Sequence, residues 1–178
     1  AVALALALWI PVTAKTDSIT GAITDQLQAS EKDSPLSMTF GQSVSIDGSR
    51  MAVGQASLNN PGPINHEPPY EYLQNAVYIF ENDGSQWTET HIVRPNDYDS
   101  TDYVGFGVAV SLDGSTLAVH SRQVVGYYPD GYPEVGSSVF VFELVNGSWT
   151  QQAEISQPFN PYCGDPFMFG LDLEVQGD

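Results

Sequence analysis

Polar and apolar residues alternate in short runs through most of this chain, and Asp-Gly, Asn-Gly or Pro-rich breaks separate the runs. Ser43-Val44-Ser45-Ile46 has the period of two that a half-buried strand requires, because successive side chains leave opposite faces. Asp47-Gly48 then predicts a tight hairpin turn, and Arg50 to Gly54 a returning strand. After a long connection, Ala76 to Glu81 reads as a third strand, Asp83-Gly84 as a second tight turn, and Trp87 to Val93 as a fourth strand. No stretch after residue 20 keeps the i, i+3, i+4, i+7 spacing of an amphipathic helix over three turns. The expected fold class is all-β.

The same grammar recurs. Phe40-Gly-Gln-Ser-Val-Ser-Ile-Asp-Gly-Ser-Arg-Met-Ala-Val53 aligns with Phe106-Gly-Val-Ala-Val-Ser-Leu-Asp-Gly-Ser-Thr-Leu-Ala-Val119. Val77-Tyr-Ile-Phe-Glu81 aligns with Val139-Phe-Val-Phe-Glu143, and Trp87-Thr88 with Trp149-Thr150. Phe169-Gly170 opens a third copy. Ala22 to Ala29 precedes Phe40 roughly as Trp87 to Arg94 precedes Phe106, and so reads as the last strand of a further unit. Units of four antiparallel strands at this period predict β-propeller blades, packed radially around a channel. The expected organisation is an apolar leader at 1–15, a partial preceding blade at 16–39, blades at 40–105 and 106–168, and the start of another from 169.

Phe40-Gly41, Phe106-Gly107 and Phe169-Gly170, with Ala52-Val-Gly-Gln-Ala56 after the first, resemble the FG-GAP repeat family, which includes the head of integrin alpha chains. The resemblance covers roughly residues 20 to 178 and implies a partial propeller, completed by further blades from the rest of the polypeptide or from other chains. It also implies an extracellular or cell-surface role in binding or adhesion, with a protein or glycan ligand. Two departures stand out. His120-Ser121-Arg122 replaces the Gly-Ala-Pro element in the second unit. The loop that carries an acidic Ca²⁺ cage in integrin blades is here a bare Asp-Gly hairpin in both units, too tight to surround a cation with six to eight oxygens.

Composition narrows the partners. With 22 acidic against 5 basic residues and a net charge of −17, the chain is unsuited to polyanionic nucleic acids and to acidic membrane surfaces. The single cysteine, Cys163, excludes an internal disulfide framework; it pairs outside this segment or is a buried thiol. The uncharged run from Ala1 to Val12 is too short to span a bilayer alone. It reads as a signal-peptide core, as the end of a membrane anchor tethering the propeller, or as a buried apolar strand. The first two place the repeats on the exported side.

Candidate chemistry falls on the connections. Loops joining strands two to three, expected at 57–74 and 123–137, carry Tyr70 and Tyr72 in one and Tyr127, Tyr128 and Tyr132 in the other. Tyrosine gives large contact area at low entropic cost, which suits recognition; the plainer reading is that these rings cover the blades. Asp97, Asp99 and Asp102 space carboxylates at near-alternate positions, as a weak Ca²⁺ loop or an ordinary Asx-rich turn. Asn146-Gly-Ser148 is both an N-glycosylation acceptor pattern and a good hairpin tip. Trp87 and Trp149, equivalent in their units, read as packing residues. His66, His91 and His120 share no metal-ligand spacing, and no nucleophile or phosphate-binding motif occurs. The chain is therefore expected not to be an enzyme. The rival readings are a structural scaffold without a discrete ligand and, since carboxylates are plentiful, a carbohydrate-active enzyme.

Overall fold

The computed structural model describes residues 27–30, 39–56, 75–98, 105–131, 133–157 and 169–176. Eight strands occur among them: β1 (Phe40–Asp47), β2 (Arg50–Gln55), β3 (Ala76–Asn82), β4 (Trp87–Val93), β5 (Val110–Asp113), β6 (Thr116–Tyr127), β7 (Pro133–Val145) and β8 (Ser148–Ser156). They form two four-stranded sheets of order β1-β2-β3-β4 and β5-β6-β7-β8, with every neighbouring pair antiparallel. Each expected hairpin closes where its turn residues stand. Asp47 pairs with Arg50, Asp113 with Thr116, and Val145 with Ser148. Asn146 and Gly147 both have positive φ, the backbone a two-residue hairpin tip demands.

The two sheets repeat one packing plan. In the first, Phe40 meets the rings of Tyr78 and Phe80 edge-on, at 5.6 and 6.2 Å. In the second, Phe106 meets Phe140 and Phe142 in the same way, at 5.8 and 6.1 Å. Because strand side chains alternate, the opposite face of the first sheet presents Ala52, Val77 and Ile79. That face packs on Leu112, Leu117, Val119, Phe140 and Phe142 of the second sheet, forming the larger of two cores. Met51, Val53, Tyr78 and Phe80 form the smaller core, with Leu27, Ala29, Phe40, Trp87 and Ile92 packed against it. Burial on both faces explains why β2 and β3 read as near-continuous apolar runs rather than clean alternations.

Polar bonds at the junctions repeat as well. The Leu112 amide donates to Ser45 Oγ at 3.0 Å, and the Val175 amide donates to Ser111 Oγ, its counterpart one unit on, at 2.9 Å. The Asn96 amide donates to Gln151 Oε1, and the Ser30 amide to the equivalent Glu89 carboxylate, both at 2.9 Å. Ser30 thus does at one junction what Asn96 does at the next, and Leu27 packs on the smaller core as Val93 packs on the larger. The junction between the two sheets carries further bonds. Ser43 Oγ donates to the Gly107 carbonyl, the Gly114 amide to Asp47, and Arg50 to the Gly114 carbonyl, each at 2.7 Å. Arg50 also pairs with Glu81 at 2.8 Å and lies over the Trp149 ring at 5.7 Å. Trp87 and Trp149 pack as expected, Trp87 on the smaller core and Trp149 on the larger.

Candidate recognition surface

A four-stranded meander sends its 2–3 and 4–1 connections to one end and its short turns to the other. The structure ties the two connections of the first unit together. The Asn75 amide, where the 2–3 connection ends, donates to the Tyr98 hydroxyl of the 4–1 connection at 2.9 Å. Arg94 reaches the Asn75 carbonyl at 3.3 Å while its guanidinium lies over the Tyr98 ring at 5.4 Å. The opposite end holds compact turns. At the β3–β4 turn, the Asp83 carboxylate accepts from the Ser85 hydroxyl, the Ser85 amide and the Gln86 amide, which together hold its pKa below the usual value.

The second unit departs from the expected loop. Residues 123–137 are mostly strand: β6 and β7 continue past the core, pairing Gln123 with Gly136, Val124 with Val135 and Tyr127 with Pro133. The extension follows from Val124, Val125 and Tyr127, which favour extended backbone, and a bulge between Val124 and Gly126 bends the ribbon. A Gly131 amide bond to the Tyr128 carbonyl, 2.9 Å, closes its tip. Val125, Tyr127 and Tyr128 are each more than half exposed (52% for each tyrosine), so neither ring is packed down on the sheets. Tyr70, Tyr72 and Tyr132 lie outside the described residues.

The remaining candidates separate in the same way. Asp97 precedes Tyr98 on the tethered 4–1 connection, whereas Asp99, Asp102 and Cys163 lie outside the described residues. Among the described residues, no group of three or more His, Cys, Asp or Glu side chains is placed to hold a metal ion. Asn146 is exposed at its hairpin tip. Sequence reasoning passed over His120. It stands at the position that Gly54 fills in the first unit, fully buried beside Gly170 and Val139. Burial first, and then the nearby Arg122 charge, lower its pKa to about 4; a marginal contact with the Phe169 backbone works the other way. The signal available in advance was the replacement of glycine by histidine within an otherwise matching repeat.

The described residues therefore define an all-β repeat protein of four-stranded antiparallel sheets, with one elaborated end. No protein-family model, no curated protein and no solved structure matches this chain.

Proposed function

We propose that this chain is part of an FG-GAP-type β-propeller that serves as an extracellular or cell-surface binding and adhesion module. The observation that carries the reading is the β6–β7 ribbon. It projects two half-exposed tyrosines from the end of the repeat where connections are long, while the other end offers only tight turns. Aromatic rings held on a paired ribbon lose little freedom on binding, so they suit a protein or glycan surface. The recurrence of Phe-Gly at three equivalent positions, twice as the same edge-on aromatic cluster, supports the family reading. The strong acidity supports a partner that is not a polyanion.

The test uses the chain immobilised against a glycan array and a panel of purified extracellular proteins. Tyr127→Ala and Tyr128→Ala should each weaken a positive interaction, by about 2 kcal/mol where the ring is a true hot spot. Replacing the Asn82–Ser85 turn at the other end should leave that interaction unchanged. Weakening by the turn change alone, with the tyrosine variants folded and fully active, would move the functional surface to the opposite end. A structural scaffold is the second reading, favoured by two apolar side chains left open on β1.

A further inference from the structure

The β6–β7 ribbon is two strands wide beyond Ser138, where the pairing of β7 with β8 ends. Side chains alternate along β7, so Glu134, Gly136 and Ser138 share one face. A Cβ on Gly136 would lie 2.8 Å from Val125 Cγ1, so Val125 lies across Gly136 on that face. A Cβ on Gly126 would lie 3.3 Å from Glu134 Oε2, which sets this carboxylate beside the bulge on the same face. At the base of the ribbon, Glu154 Oε1 accepts from Gln123 Nε2 at 2.8 Å, Ser138 Oγ at 2.9 Å and Ser156 Oγ at 3.2 Å. The face is therefore a strip with a carboxylate at each end and the 57% exposed Val125 between them.

Two features set this strip apart from the repeating framework. In the first unit, the places of Ser138 and Glu154 are held by Ala76 and Ile92, which belong to or pack on the smaller core. Polar side chains there forgo apolar burial, and a local break in a protein's own packing plan is a mark of function. The charge is the second feature. All three donors meet Glu154 on Oε1, and among the described residues neither Glu154 nor Glu134 has a cationic partner. No Lys, Arg or His occurs from 123 to 137 or from 148 to 157. What the strip offers outward is hydrogen-bond acceptors and negative charge.

We propose that this face of the ribbon binds an extended, basic protein segment that carries two arginines four positions apart. At roughly 3.3 Å per residue, Glu134 and Ser138 stand about 13 Å apart along β7, as do positions i and i+4 of an extended partner. One guanidinium pairs with Glu134 and the other with Glu154 Oε2, while their alkyl stems cover Val125. Two carboxylates at that separation cannot share a metal ion. A neutral glycan would leave both without a counter-charge, and a polyanion would be repelled. The net charge of −17 adds a general attraction for a basic partner. The proposal rests on the reading of this end as a recognition surface and names the partner class for it.

The probe is a blocked Ser/Thr peptide with two arginines four positions apart, titrated into the isotope-labelled chain and followed by NMR amide shifts. The amides of Gln123, Val125, Glu134, Gly136 and Glu154 should shift together, and those of the Asn82–Ser85 turn should not. Glu134→Gln and Glu154→Gln should each weaken binding by about fivefold, and the double variant by about twentyfold. Glutamine keeps an oxygen for Gln123, Ser138 and Ser156, so Glu154→Gln preserves the fold. Glu143→Gln, at the far end of β7, removes the same charge and should change the Kd by less than about twofold. Moving the arginines to adjacent positions should cost as much as losing one carboxylate. Binding that ignores the arginine spacing, or that falls equally in Glu143→Gln, would overturn the proposal, because bulk charge alone would then explain it. So would a neutral oligosaccharide that shifts these amides while the peptide leaves them unmoved. In that case a loss of oligosaccharide binding in Tyr127→Ala and Tyr128→Ala would keep the recognition reading and remove only the basic partner.

Discussion

Gly54→Ala should be among the most damaging single changes in this protein, costing about 3 kcal/mol or more of stability. A methyl group built on Gly54 falls 2.1 Å from the Gly107 carbonyl oxygen and 2.3 Å from Ser43 Oγ. Both neighbours are committed to each other through a 2.7 Å hydrogen bond, so neither can yield without breaking the junction between the sheets. Gly107 has little room to retreat, because Ala76 and Gly54 crowd it: a Cβ built there would lie 3.0 Å from the Ala76 carbonyl oxygen and 3.3 Å from the Gly54 Cα. The control is Gly48→Ala, where φ is +56° but the space around the site is open. There only the left-handed backbone is penalised, at about 1–2 kcal/mol. Urea denaturation followed by circular dichroism separates the two; equal losses would show that the junction is not the tight point described.

The second large effect is a loss of stability in mild acid. His120 is neutral in the fold, with its pKa lowered to about 4 by burial and by Arg122, against an ordinary value near 6.5. The unfolded chain therefore binds a proton that the folded chain refuses. The contribution is fully present above about pH 6.5 and disappears as pH falls through the window down to about 4. Linkage puts the whole loss at roughly 3 kcal/mol, of which about 1 kcal/mol falls between pH 7 and 5.5, before most carboxylates titrate. In the unmodified chain the urea midpoint should drop across that interval, and in His120→Leu the drop should shrink by that amount. Because His120 lies against Gly170, residues 169–176 should gain exchange at acid pH before the two sheets separate. An unchanged slope in His120→Leu would mean that the ring is already solvated or paired.

Strand content and hairpin positions were legible because they depend on local physics. Alternation at Ser43 to Ile46, the Asp-Gly and Asn-Gly tips, and the β-branched and aromatic runs each constrain the backbone within a few residues. Repetition added the packing plan, since Phe40 and Phe106 were equivalent before either was seen to meet its aromatic pair. The site was less legible. Tyr127 and Tyr128 were identifiable as candidates, but a Pro- and Tyr-rich segment reads as a loop unless its two halves are known to pair. The ladder from Gln123–Gly136 to Tyr127–Pro133 is a long-range choice made by register, and it turned a presumed cover into a projecting ribbon.

Which face of each sheet meets its neighbour was decided by tertiary structure alone. Ser45 and Ser111 look like solvent-facing alternates in the sequence, yet both accept an amide from the next unit. Ile46 and Leu112 look interchangeable, and one is open while the other is buried. His120 reads in the sequence only as part of a departure from the repeat, and in the fold it is fully buried, with its pKa lowered by that burial. The physical reason is common to all three. Sequence periodicity sets the direction a side chain leaves its own strand, whereas burial and pKa depend on what arrives from the adjoining sheet.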